Sequence, residues 1–414
     1  MKTSKLCIAL FFISNITFSQ NKSLSNSIDI SQVKQDFNIL IDNIKNYYLY
    51  LDEDVVDLNC IKNYYSNQIK DLKTLEEVTL FFEHILYEFH DNHFLLNTNN
   101  NKSYRTFSPI YLSEKNNKFF IENVWASNIM NLKTNILKAE VISFNGVDYN
   151  KAIQDFPIFC TDKTNPKVRA YIINKIIYGT YNNPRILKLK LTNGTYFTLD
   201  IDKLILKNTS SLISTKTINN IGVITINNSL GNNKLISVFD KALNELSNTK
   251  AIILDLRNTV SGGNTYVAKG IMSRFIGKEK PYQKHLLLES FDSQPKIKRT
   301  FVEYVTPRGI QYKKTLIVLS GRWTGSMGEG LTIGLDGLKR ATIIGTEMRK
   351  LLGAVYTIPL KNFSFAYNMP AEKLFHINST PREDFIPENY VNQTKIDKDE
   401  FLSIAIKIIN INKN

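Results

Sequence analysis

A serine that opens a helix can do one of two things, and the segment Thr324-Gly325-Ser326-Met327-Gly328-Glu329-Gly330 allows both. The apolar run 315–319 reads as a strand, 320–325 as a loop, and Ser326 as the first residue of a helix. Backbone N–H groups converge at such a point and the helix dipole favours a developing anion. A hydroxyl there is placed to attack a carbonyl whose oxygen becomes an oxyanion. The same Ser-x-x-Glu spacing is also a capping box, in which Glu329 accepts from the Ser326 N–H and positions it. Gly325 and Gly328 leave room for a substrate backbone. A second glycine junction follows Asp255-Leu256-Arg257, in Asn258-Thr259-Val260-Ser261-Gly262-Gly263-Asn264. Gly262 or Gly263 would supply one oxyanion donor and the Met327 N–H the other; the plainer alternative is a turn that packs a strand on a helix. As a phosphate loop it lacks the Walker lysine spacing.

An attacking hydroxyl needs a base, and the chain has five histidines. Imidazole suits the task because its ordinary proton affinity lies near neutrality. His93, in Phe89-His90-Asp91-Asn92-His93-Phe94, falls just beyond a helix end; a structural cap is its ordinary role there. His84 belongs to the helix, His285 to a polar connection, and His376 is a reserve base. His90 and His93 lack a third ligand, and Cys60 and Cys160 are not spaced as a metal site, so neither a metal nor another cofactor is expected. Ser31-Gln32-Val33-Lys34 fits Ser-x-x-Lys, but Ser31 reads as a helix cap and no Lys-Thr-Gly follows, which excludes penicillin-binding chemistry.

The elements that must position these groups fall into blocks. Residues 1–20 read as a signal peptide: Lys2 and Lys5 precede a short apolar run, too short to span a bilayer. Residues 29–100 read as a helical domain, with Val33, Phe37, Leu40, Ile41 and Ile44 at helical spacing, Ser31 as the cap, and a Thr74/Glu77 capping box opening a later helix that ends at Asp91-Asn92. Residues 104–206 turn β-rich, with Asn145-Gly146 a turn between a strand and a short helix. A hairpin turns at Asn193-Gly194 between Leu187, Leu189, Leu191 and Phe197, Leu199, Ile201. Residues 215–410 alternate strand and helix, the mark of a layered α/β domain. The net charge of +14 is spread along the chain rather than gathered in a stripe, and no nucleic-acid module is present, so nucleic acid is excluded as a partner. No later segment reaches transmembrane length, so no integral membrane anchor is expected. Cys60 and Cys160 pair or stay free; the sequence leaves both open.

Taken together, AIILDLRNTVSGG, TGSMGEG, RATIIGTE and TPREDFIPENYV resemble, in order and separation, the tail-specific or C-terminal processing proteases and their tricorn-core relatives. The resemblance covers 221–391 well. It implies a crotonase/ClpP-like α/β catalytic domain behind an N-terminal helical domain and a β-rich insert, in which LKAEVISFNGVDYNKAI loosely resembles part of a PDZ module and leaves a PDZ-like or merely β-rich insert open. It further implies a serine-type endopeptidase acting on peptide or protein substrates through an acyl-enzyme on Ser326, and the signal-like N-terminus makes the expected location exported, periplasmic or secreted. The tricorn-like branch uses a histidine, here His93, supported by a glutamate, here Glu383 in Pro381-Arg382-Glu383-Asp384. The processing branch uses a lysine, here Lys350, one position early and without its Gly-Lys-Gly context. The competing class is a non-catalytic peptide- or ligand-binding protein on the same fold.

Overall fold

A computed structural model describes residues 28–51, 56–291 and 294–411 of the chain. The signal-peptide reading of residues 1–20 lies outside them.

The N-terminal region holds α1 (Ile30–Tyr47), α2 (Leu58–Gln68), α3 (Leu75–Tyr87) and the short strand β1 (Leu95–Leu96). The cap of α1 is Asp29 rather than Ser31: the Asp29 carboxylate accepts from the Ser31 N–H at 2.9 Å. A charged acceptor two residues earlier outcompetes the hydroxyl for the free helix-end donors. The Thr74/Glu77 capping box forms as read, with reciprocal bonds of 3.2 and 3.0 Å.

Next come β2 (Ile110–Lys115), β3 (Lys118–Val124), β4 (Glu140–Phe144), β5 (Val147–Asp148), α4 (Tyr149–Gln154), α5 (Pro166–Tyr178), β6 (Ile186–Lys190) and β7 (Tyr196–Asp200). These strands form one antiparallel sheet in the order β2-β3-β4-β6-β7, with β5 on β4. Asn145-Gly146 turns β4 into β5 ahead of α4, and β6 and β7 pair around Asn193-Gly194 with Leu189 opposite Phe197.

The remainder comprises β8 (Ile213–Ile218), β9 (Ile221–Ile226), α6 (Leu235–Glu245), β10 (Ala251–Asp255), α7 (Thr265–Met272), β11 (Lys280–Glu289), β12 (Ile297–Val305), β13 (Thr315–Ser320), α8 (Met327–Gly337), β14 (Thr342–Gly345), β15 (Ala354–Pro359), β16 (Ala366–His376), β17 (Asn389–Tyr390) and α9 (Glu400–Ile411). Five of these strands run parallel in the order β17-β14-β13-β10-β9, and β8 closes the edge antiparallel to β9. Alternation sorts the fully buried strand β10 onto two faces. Ile252 and Leu254 join the core under α6, α7 and α8, while Ala251 and Ile253 pack toward Phe401, Ala405 and Ile409 of α9.

A third sheet, β1-β16-β11-β12 with β15 on β16, was not legible as such. It ties the ends of the chain together: Leu95 and Leu96 pair with Asn368 and Tyr367, and the N-terminal helices share one core with Leu360, Phe365, Tyr367 and Met369. The helical region is therefore built onto the α/β unit instead of standing alone. A Cys60–Cys160 disulfide joins it to the β-rich unit, and the fully buried Glu88 reinforces that joint, accepting from Tyr65 Oη, Thr161 Oγ1 and the N–H groups of Phe159 and Cys160.

Candidate active site

The site forms where β10 and β13 end and their following loops meet. Thr324 Oγ1 donates to the Leu256 carbonyl at 3.0 Å, and the Gly325 N–H to the Thr259 carbonyl at 2.9 Å, so the two loops are stitched together. The Trp323 ring stacks on Trp125 of the β-rich unit at 5.5 Å and clamps that unit against the same loop.

Ser326 opens α8 with φ of 50° and ψ of −113°. A capping residue ordinarily has extended backbone, whereas this left-handed setting is costly for a residue with a Cβ. Two groups hold it. Glu329, completely buried, accepts from the Ser326 N–H at 2.8 Å through Oε2 and from the Lys350 N–H at 2.8 Å through Oε1. Gly262, at φ of +72°, lies so close that a Cβ on it would stand 2.3 Å from Ser326 Cβ and 2.8 Å from both Ser326 Oγ and the Met327 nitrogen. Of the two glycines named from sequence, Gly262 faces the serine and the Met327 N–H. The missing side chain of Gly263 instead makes room for Leu230 and Gly231.

His93 sits on the turn between α3 and β1, and the pairing of β1 with β16 fixes where that turn points. Its N–H donates to Asp91 Oδ1 at 2.8 Å, and its Nδ1 lies 2.7 Å from the Leu352 carbonyl oxygen. A carbonyl only accepts, so Nδ1 carries the proton and Nε2 keeps its lone pair. The orienting partner at Nδ1 is thus a backbone carbonyl, where the sequence reading assigned that task to Glu383. Burial, then the Arg382 and Arg349 charges, push the imidazole pKa down to about 3, against the pull of the Leu352 carbonyl. Burial raises Glu329 to about 7, opposed by Arg382, by the N–H groups of Ser326 and Lys350, and by Arg349.

The loop 349–353 joins these parts. The Arg349 N–H bonds the Thr324 carbonyl, the Lys350 N–H bonds Glu329, and the Leu352 carbonyl holds His93. Arg382, buried, donates to the Leu351 and Gly353 carbonyls at 2.8 Å each. Sequence reading took Lys350 from this loop as a side chain; the structure uses its backbone at φ of 59° and leaves the side chain exposed. It also passed over Arg382, one residue before the chosen Glu383, although an arginine in a Pro-bounded turn was in plain view. Glu383 lies on a turn, Arg382–Asp384, packed against α8 and β16. His376 is not at this site. Its Nε2 lies 3.1 Å from Asp336 Oδ2, ten residues along α8 from Ser326 and so about 15 Å away by helical rise. Among the described residues no group of three or more His, Cys, Asp or Glu is gathered to hold a metal ion. Among them, too, no helix is long and apolar enough to cross a membrane.

Residues 220–384 match the family model of peptidase family S41. That segment, 165 of the chain's 414 residues, lies within the α/β unit, which is therefore similar to peptidase family S41. Among solved structures, mature CPAF aligns with a TM-score of 0.63 at 12% identity, over 93% of this chain and 99% of its own. A putative peptidase from Parabacteroides merdae ATCC 43184 gives 0.54 at 15%, over 91% and 96%. The photosystem II D1 C-terminal processing protease gives 0.51 at 12%, over 87% and 93%. At these identities the likeness speaks to fold, and it extends beyond the S41 segment to the helical and β-rich regions. No curated protein matches the chain. The S41 match supports the ClpP-like reading of the α/β unit and agrees with peptide or protein as the substrate class.

Proposed function

We propose that the protein is an exported serine endopeptidase in which Ser326 is the nucleophile, His93 the base, and Gly262 and Met327 line the oxyanion hole. The observation that carries this is the left-handed backbone of Ser326, held by a buried carboxylate and faced by a glycine that no larger residue can replace. Strain of this kind persists only where surrounding structure enforces it. His93 Nε2 takes the Ser326 proton as Oγ bonds to the substrate carbonyl carbon, and the carbonyl oxygen becomes the oxyanion. The proton passes to the leaving amine, which departs, and an acyl-enzyme remains. Water then attacks that ester, its proton again held by His93, and the acid product leaves with Ser326 restored. Because Arg382 and Arg349 oppose an imidazolium, the charged ring forms in step with the oxyanion that balances it. Glu383 is proposed as a further support for the charged ring.

Export is supported by the signal-like N-terminus and by the Cys60–Cys160 pair, which suits an oxidising compartment. The β-rich unit is proposed to dock substrate by strand addition. A fluorophosphonate probe tests the nucleophile: labelling of the wild-type chain that disappears in Ser326→Ala supports the reading. A chain that stays unlabelled and leaves a diverse peptide mixture uncut is a binding protein on a peptidase fold.

A further inference from the structure

A cavity of about 160 Å³ opens against the proposed site without including Ser326 or His93 in its wall. Asn92, the neighbour of His93, forms one side, and Arg349 and Lys350, which flank the contacts to Thr324 and Glu329, form another. Its volume is about five times the ~30 Å³ share of one water, so it accommodates a single side chain. Among the described residues lining it there is no Asp or Glu, whereas Lys167, Arg322, Arg349 and Lys350 all contribute.

Of these four cations, Arg322 has a carboxylate within 4 Å, Glu347, and the other three have none among the described residues. Arg349 spends its terminal nitrogens on the carbonyls of Val260 and Thr106, at 2.9 and 3.0 Å. Arg322 donates to the Met348 carbonyl, lies 3.5 Å from Glu347, and stacks 4.0 Å from the Tyr111 ring centre. That side chain is 10% exposed.

We propose that this cavity is a specificity pocket that takes the carboxylate side chain of an Asp or Glu close to the scissile bond of the substrate. The inference rests on the peptidase reading above and names the substrate class for the same site. Aromatic wall residues such as Tyr111 cover the methylene stem, and the Lys167 and Lys350 ammonium groups, with the two guanidinium charges beside them, receive the carboxylate. Such an anion also offsets the Arg349 charge that disfavours protonation of His93.

The test uses the full chain and two peptide pools, C-terminally amidated and identical except that Glu in one is Gln in the other, read by mass spectrometry. The expected result is cleavage of the Glu pool at least tenfold faster, with Glu at a fixed position relative to the cut. Lys167→Glu, on the exposed rim of the cavity, should reduce that ratio at least threefold, and a ratio as high as in the wild-type chain overturns the pocket. Equal rates on both pools overturn the pocket and leave the peptidase reading intact, as fluorophosphonate labelling of the same sample shows. A preference that appears only when the peptides carry a free C-terminus also overturns it, because the carboxylate would then be terminal. Loss of labelling together with uncut pools removes both readings.

Discussion

At the scale of single residues the site depends on an acceptor with two equal oxygens. Glu329 binds two N–H groups on opposite sides, Ser326 and Lys350. An amide offers one oxygen and turns an NH₂ toward the other donor, so Glu329→Gln leaves one of the two unsatisfied in a dry setting. A kcat roughly 10²-fold lower, with KM little changed, is expected on the scale of a lost oxyanion-hole donor. Protonation does the same thing reversibly. With the carboxyl raised to about 7, the ionised form that accepts both bonds prevails above that pH and is lost as pH falls through it. His93, depressed to about 3, stays neutral across that range. The acid limb of kcat near pH 7 therefore belongs to Glu329 and should flatten in Glu329→Gln. A limb that persists unchanged in the variant would assign it to another group.

At the scale of elements, two junctions are decisive. Ala at 262 would drive a Cβ into the Ser326 side chain and distort a φ of +72°. Gly262→Ala should lose at least 10³-fold in kcat/KM while the fold is retained by circular dichroism, since β10 and α7 on either side are anchored in the core by Leu254, Val267 and Ala268. Near-normal turnover would place the oxyanion elsewhere. The second junction closes a loop between cysteines separated by 100 positions. On chain-entropy grounds such a bridge contributes up to about 4.7 kcal/mol. Cys60→Ser should lower Tm by roughly 5–10 °C in calorimetry. An unchanged Tm would mean that Glu88 and its four donors hold the joint alone.

Across the whole molecule, local chemistry was legible and long-range closure was not. The α/β alternation, the hairpin at Asn193-Gly194 and the Thr74/Glu77 box each follow from spacing within a few residues. The Ser326-x-x-Glu329 pattern was read correctly as a bond to the Ser326 N–H, but its left-handed φ has no signature in the sequence. The sheet of β1, β11, β12, β15 and β16 pairs residue 95 with residue 368, and nothing local announces such a partner. Because that sheet aims His93, the true support of the imidazole, the Leu352 carbonyl, was invisible too: a backbone oxygen has no residue type to read. For the same reason Lys350 drew notice for a side chain that points to solvent, although its N–H is the working part. The central claim is that Ser326 and His93 act as one unit. Single-turnover cleavage of a susceptible peptide by the Ser326→Ala, His93→Ala, double and Lys350→Ala variants tests it most directly. The account predicts losses of about 10⁴-fold or more for each single variant, no further loss in the double variant, and retained cleavage in Lys350→Ala. Cleavage that survives His93→Ala and vanishes in Lys350→Ala would contradict it.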